Sequence, residues 1–133
     1  MHALYDEWLK LATHIGRVCI AEKRVIAGAE SCTGGLISAV LTGVSGSSAW
    51  VDRGFVTYSN EAKMELLGVL PGTLDTYGAV SEETAREMAR GALSRSGASI
   101  AYSVTGVAGP TGGTASKPVG MVCFGFATAD DVF

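Results

Sequence analysis

The chain has 133 residues, of which 47% are hydrophobic and 17% charged, with a formal net charge of -3. That length suits one domain with enough apolar material to bury a core without disulfides or metal, and the lack of a Lys/Arg stripe argues against nucleic acid as a partner. Cys19, Cys32 and Cys123 are too few and too scattered for a disulfide framework or a zinc site, and the longest apolar run, Val119 to Ala129, is too short to span a bilayer.

Leu4, Trp8, Leu11, Ile15 and Val18 recur at spacings of four and three. This predicts an amphipathic helix whose core face they form, ending near Lys23 and Arg24, where cations suit the helix dipole. His2 and His14 lie on or before it with no ligand partner at metal spacing. Val25 to Ala29 reads as a buried strand. The tight turn Glu30-Ser31-Cys32-Thr33-Gly34-Gly35 follows, then a helix from about Thr33 to Leu41 capped by Thr42-Gly43.

A Gly/Ser-rich connection, Val44 to Ala49, leads to a second strand at Arg53 to Tyr58. Ser59 or Asn60 caps a short helix that Gly68 stops. Leu70 to Gly78, with Pro71, Gly72 and Asp75, reads as a loop. Ser81 starts a third major helix with Glu82 and Glu83 in its first turn and a small-residue face of Ala85, Met88, Ala89 and Ala92. Gly97 ends it. Ser99 to Val104 is a third strand, Thr105 to Gly120 a glycine-rich stretch, and Val119 to Thr128 a fourth strand. Strands alternating with helices predict an α/β fold with a largely parallel sheet covered on both faces.

Three polar clusters fall at strand ends: Glu30-Ser31-Cys32-Thr33, then Tyr58-Ser59-Asn60 with Lys63, then Thr105 with the glycine-rich stretch. Strand ends on one edge of an open sheet converge, and that edge is where such folds bind ligands. No histidine accompanies them, which excludes a Ser-His-Asp triad. Ser31 needs a base, and Lys63, alone or with Tyr58, is the one on offer. A lysine serves only if burial or nearby positive charge lowers its pKa.

The helix after Ser31 offers unpaired N–H groups and a positive dipole end to a ligand. The competing reading makes Ser31 and Thr33 helix caps, Tyr58 a core residue and Lys63 a solvated one. Cys32, at the same helix start, is a rival nucleophile. The glycine-rich stretch has neither a P-loop ending nor Gly-x-Gly-x-x-Gly spacing, but it can cradle a phosphate with Lys117 as counter-charge, or simply be a surface connection.

These segments resemble the CinA C-terminal domain family. The likeness runs through Ala29-Glu30-Ser31-Cys32-Thr33-Gly34-Gly35, Tyr58-Ser59-Asn60 with Lys63, and Leu67-Gly68-Val69. It continues through Gly78-Ala79-Val80-Ser81, Thr105-Gly106-Val107-Ala108-Gly109-Pro110 with Gly112-Gly113, and Lys117-Pro118-Val119-Gly120. The resemblance implies a three-layer α/β/α sandwich, anticodon-binding-domain-like, with a mixed, mostly parallel sheet of about five strands.

The resemblance also implies a nicotinamide-nucleotide amidase that converts nicotinamide mononucleotide and water to nicotinate mononucleotide and ammonia. Ser31 would be the nucleophile and Tyr58 and Lys63 its activating neighbours. Glu30, Thr33, Gly34, Gly35, Thr105, Gly106, Gly109, Gly112 and Gly113 would bind substrate, with N–H groups around Thr33 to Gly35 for the oxyanion. The family domain continues past the equivalent of Phe133 through a strand, an arginine-containing segment and a helix, so residues 1–133 are expected to form one such domain without its last strand and helix.

No metal or cofactor is expected. The odd cysteine count and the charged N-terminal segment favour a cytoplasmic location. The partner is a small nucleotide, not nucleic acid or membrane, and the small-residue helix face leaves room for a homo-oligomer. The alternative function is a nucleotide-binding module without turnover, in which the helix N-terminus after Ser31 holds the phosphate.

Overall fold

The computed structural model describes residues 2–133. A long helix α1 (His2–Glu22) precedes β1 (Ile26–Glu30), α2 (Leu36–Thr42), a 3-10 turn (Ser47–Ala49), β2 (Val51–Val56), α3 (Asn60–Leu67), α4 (Pro71–Tyr77), α5 (Glu82–Ser94), β3 (Ile100–Gly106) and β4 (Val122–Thr128). The strands form one sheet in the order β2-β1-β3-β4. β1 runs parallel to both neighbours and β4 is antiparallel to β3.

Two cores sandwich the sheet. On one face Ala12, Cys19, Val40, Leu41 and Trp50 join α1 and α2 to it. On the other, Ala29, Leu67, Val69, Met88, Ala92 and Ala101 join α3 and α5 to it. The α/β class and the mixed, three-layer arrangement agree with the sequence reading.

Among the described residues the sheet has four strands rather than about five. After β4 the chain turns back on itself. Thr128 N–H donates to the Asp131 carbonyl at 2.8 Å, and Phe126 and Phe133 exchange backbone hydrogen bonds at 2.6 and 2.8 Å. Val132 bridges Ala127 antiparallel. This return adds a short antiparallel pairing along β4 to the four strands of the described residues.

Two local expectations are corrected. The stripe Leu4, Leu11, Ile15 and Val18 does not face the core; these residues are 48%, 63%, 39% and 43% exposed. The buried face of α1 is Ala12, Gly16 and Cys19, with Trp8 half-buried. The reason is steric. A Cβ on Gly16 would lie 2.7 Å from the Trp50 indole, so only small residues let α1 approach the buried tryptophan.

Residues 71–77 form α4 rather than a loop. Pro71 sits in the first turn, where its missing N–H is no loss. The missing cap comes from α5: Glu87 accepts from Leu70 N–H at 2.9 Å and from the Thr73 hydroxyl at 2.5 Å.

The pleat of β1 positions the site. Ala29 packs into the α5-side core, whereas Glu30 bonds to α2 on the opposite face. Ser31, next along, turns back to the α3 side, where it meets Lys63.

Candidate active site

Ser31 leaves the end of β1 with its N–H on the Val104 carbonyl of β3, 3.0 Å away. It is 6% exposed. Lys63 rises to it from the first turns of α3, a helix capped by Ser59, whose hydroxyl accepts from Ala62 N–H at 3.0 Å. The Lys63 amine is 1% exposed and has three partners: Ser31 Oγ at 3.0 Å, the Thr57 carbonyl at 3.0 Å and the Tyr58 carbonyl at 3.1 Å. Among the described residues no carboxylate contacts it. Burial therefore holds its pKa below the ordinary lysine range, opposed only by the neighbouring Cys32.

Ser31 and Lys63 line one cleft of about 410 Å³ with Cys32, Tyr58, Thr105, Gly106, Gly109 and Gly112. Three larger clefts, of about 690, 750 and 470 Å³, lie beside α5 and contain no such hydroxyl–amine pair among the described residues. The chemistry, not the size, selects the site.

Tyr58 is 72% exposed, so its ring stands at the cleft rim while its carbonyl orients Lys63. Thr105 is buried and donates its hydroxyl to the Ala79 carbonyl at 2.9 Å, fixing the wall formed by Ala79 and Val80. Cys32 borders the cleft, and burial raises its thiol pKa despite Lys63 nearby, which keeps it a thiol.

The glycine-rich stretch closes at its neck, where Val107 and Met121 pair at 2.9 Å and Gly120 N–H reaches Val107 at 2.7 Å. At Gly109 (φ 77) a Cβ would come within 2.4 Å of Val119. This glycine lets the loop fold tightly beside the cleft.

Glu30, Thr33, Gly34, Gly35 and Gly113 do not line the cleft. Glu30 is fully buried, and its carboxylate accepts from the Thr33 hydroxyl (2.7 Å), Ile37 N–H (2.9 Å), Ser38 N–H (2.9 Å), the Ser38 hydroxyl (2.7 Å) and, more distantly, the Tyr102 hydroxyl (3.4 Å). Burial alone would raise its pKa; these donors reverse the sign and hold it below the usual carboxylate range. Burial pushes the Tyr102 hydroxyl well above the ordinary phenol range.

The N-terminus of α2 is thus filled by the chain's own carboxylate and is not open to a ligand anion. Lys117, read as a counter-charge to phosphate, instead donates to the Tyr77 carbonyl. What residue types could not reveal are the main-chain acceptors at Thr57, Tyr58 and Ala79. Only the extended stretch before Ser59 and the motif around Ala79 hinted at them.

Among the described residues no cluster of His, Cys, Asp and Glu could hold a metal ion, and no helix is long and apolar enough to cross a membrane.

The CinA C-terminal domain family matches residues 9–133. The nicotinamide-nucleotide amidohydrolase PncC of Enterobacter agglomerans is 58% identical over 121 residues, covering 91% of this chain and 74% of that protein. The PncC of Escherichia coli K12 is 51% identical over 124 residues, covering 93% and 75%. A CinA-like protein of Chloroherpeton thalassium is 59% identical over 121 residues, but this chain spans only 29% of its length. The crystal structure of competence/damage inducible protein CihA from Agrobacterium tumefaciens superposes with a TM-score of 0.92 at 51% identity, covering 95% of this chain and 77% of that one.

Proposed function

The chain belongs to the CinA C-terminal domain family, and from that premise we propose that it is an amidohydrolase acting on a nicotinamide nucleotide, with Ser31 as nucleophile and Lys63 as its base. The single observation that carries the mechanism is the buried Lys63 amine 3.0 Å from Ser31 Oγ. The similarity to proteins named nicotinamide-nucleotide amidohydrolase carries the substrate.

A neutral lysine amine has two N–H donors and one lone pair. Its two N–H groups are taken by the Thr57 and Tyr58 carbonyls, which leaves the lone pair for the Ser31 hydroxyl proton. Burial supplies the neutral form at lower pH than a solvated lysine would.

In the proposed reaction Ser31 Oγ attacks the carboxamide carbon of nicotinamide mononucleotide while Lys63 takes the hydroxyl proton. The tetrahedral intermediate collapses as Lys63 returns the proton to the departing nitrogen. Ammonia leaves and an ester to Ser31 remains. Water then adds with Lys63 again as base, and nicotinate mononucleotide is released.

Of the N–H groups in the turn, that of Gly34 is spent on the Ser31 carbonyl at 3.1 Å and that of Leu36 on Thr33 at 3.1 Å. Those of Cys32 and Thr33, beside the Cys32 sulfur, are the candidates for the oxyanion, a role worth roughly 3–4 kcal/mol per donor in comparable sites. Thr105, Gly106, Gly109 and Gly112 would border the ribose phosphate and Tyr58 would contact the substrate at the rim.

A binding module without turnover would need the α2 N-terminus for its phosphate, and Glu30 occupies that place. Ser31→Ala tests the proposal: ammonia release should fall by about 10⁴-fold or more, and wild-type turnover would refute the nucleophile role.

A further inference from the structure

Resting on the amidase reading, we propose that Glu30 is a positioning residue that braces the nucleophile from the opposite face of the sheet. Glu30 and Ser31 are adjacent in sequence yet project to opposite sides of β1. Ser31 faces Lys63 and the cleft. Glu30 faces α2 and is fully buried.

The carboxylate gathers donors from three elements. The Thr33 hydroxyl comes from the turn that carries Ser31. The N–H groups of Ile37 and Ser38 and the Ser38 hydroxyl come from the first turn of α2. The Tyr102 hydroxyl comes from β3, and Ser38 and Tyr102 also bond each other at 3.2 Å. The segment from Ser31 to Gly35 is therefore spanned by a clamp that begins on the residue before it and ends on the helix after it.

Two features accompany this clamp. Gly34 (φ 63) and Gly35 (φ 100) take backbone conformations open chiefly to glycine, which bring the start of α2 back over the carboxylate. Tyr102 is further held by a close approach at Gly28, where a Cβ would meet its ring at 2.1 Å. A nucleophile must hold its line of attack within a fraction of an ångström, and a shift of about 1 Å can lower the rate about 100-fold. The buried carboxylate, at the end of β1, ties the start of α2 back to the sheet.

The test uses the full chain and compares wild type with Glu30→Gln, which keeps the side-chain size but replaces one acceptor by an NH₂ group facing the N–H donors of α2. At a temperature where the variant is folded, kcat for ammonia release from nicotinamide mononucleotide should drop about 10- to 100-fold, with KM changed less than about threefold because Glu30 does not line the cleft.

Glu30→Ala should recover part of its kcat when millimolar formate is added, since the vacated site keeps its donors. Ser31→Ala should recover nothing. The double variant Thr33→Val with Ser38→Ala, which leaves the carboxylate and removes two hydroxyls, should lose kcat by about tenfold, again without a matching rise in KM. Wild-type kcat in a folded Glu30→Gln protein or in the double variant would overturn the proposal, as would a loss confined to KM.

A second readout keeps this inference separate from the choice of substrate. An alkyl fluorophosphonate phosphonylates Ser31 with loss of fluoride and needs no nucleotide. Slower labelling in Glu30→Gln than in wild type supports the brace even if wild type releases no ammonia, an outcome that would instead refute the amidase reading. Equal labelling rates would overturn the brace and leave that reading intact.

Discussion

The turn at Ser31 and the loop between Thr105 and Met121 meet at one cleft but are built in opposite ways. The turn is buried and fastened on both faces: Ser31 to Val104 and Lys63, Glu30 to α2. The loop is mostly exposed, closed at its neck by backbone pairs between Val107 and the 120–121 segment, and tied to Tyr77 through Lys117. Reacting groups need fixed geometry, whereas a loop that admits and releases substrate needs room to adjust. The division implies that substitutions in the turn act on kcat and those in the loop on KM.

The contrast can be broken in graded steps. The largest loss belongs to Ser31→Ala, as above. Next is Lys63→Met, which keeps an unbranched buried side chain but removes the base. Its kcat should fall by about 10²- to 10⁴-fold, the range a positioned proton acceptor supplies, measured as ammonia release at fixed pH.

On the other side of the comparison, Gly109→Ala forces a Cβ within 2.4 Å of Val119 at a positive φ of 77. It should raise KM by about tenfold while kcat stays within about threefold. A fall in kcat alone would erase the distinction between the two regions. The smallest effect is expected for Cys32→Ala. Its thiol pKa is raised by burial, so kcat should change far less than the roughly 100-fold that a group in the proton path supplies.

Elements with local signals were legible in the sequence. Ser81 caps α5 as expected, its hydroxyl accepting from Thr84 N–H at 3.1 Å, with Glu82 and Glu83 in the first turn. Gly68 ends α3 in a left-handed conformation, and Ser59 caps its start. The sequence pairs the Ser31 hydroxyl with the Lys63 amine, and the structure sets them 3.0 Å apart.

What escaped the sequence depended on direction. A strand shows its residues alternately to two faces, but which residue faces which side follows from register and packing. Hence Glu30 looked like a ligand contact and is turned into the fold. A helix shows its apolar stripe, yet Trp50 beneath α1 selects Ala12, Gly16 and Cys19 over the larger Leu11 and Ile15. The cap of α4 comes from Glu87, 17 residues beyond Leu70 in the chain, and local pattern carries no trace of it.

The most direct measurement of the central claim is the pH dependence of kcat/KM for ammonia release from nicotinamide mononucleotide. Lys63 acts as a free amine, so activity should rise with pH as it deprotonates. Because burial lowers its folded pKa, the midpoint of that rise should lie below the ~10.4 of a solvated lysine, and the rise should vanish in Lys63→Met. A rise that persists unchanged without Lys63, or a midpoint at or above the ordinary lysine value, would contradict the account.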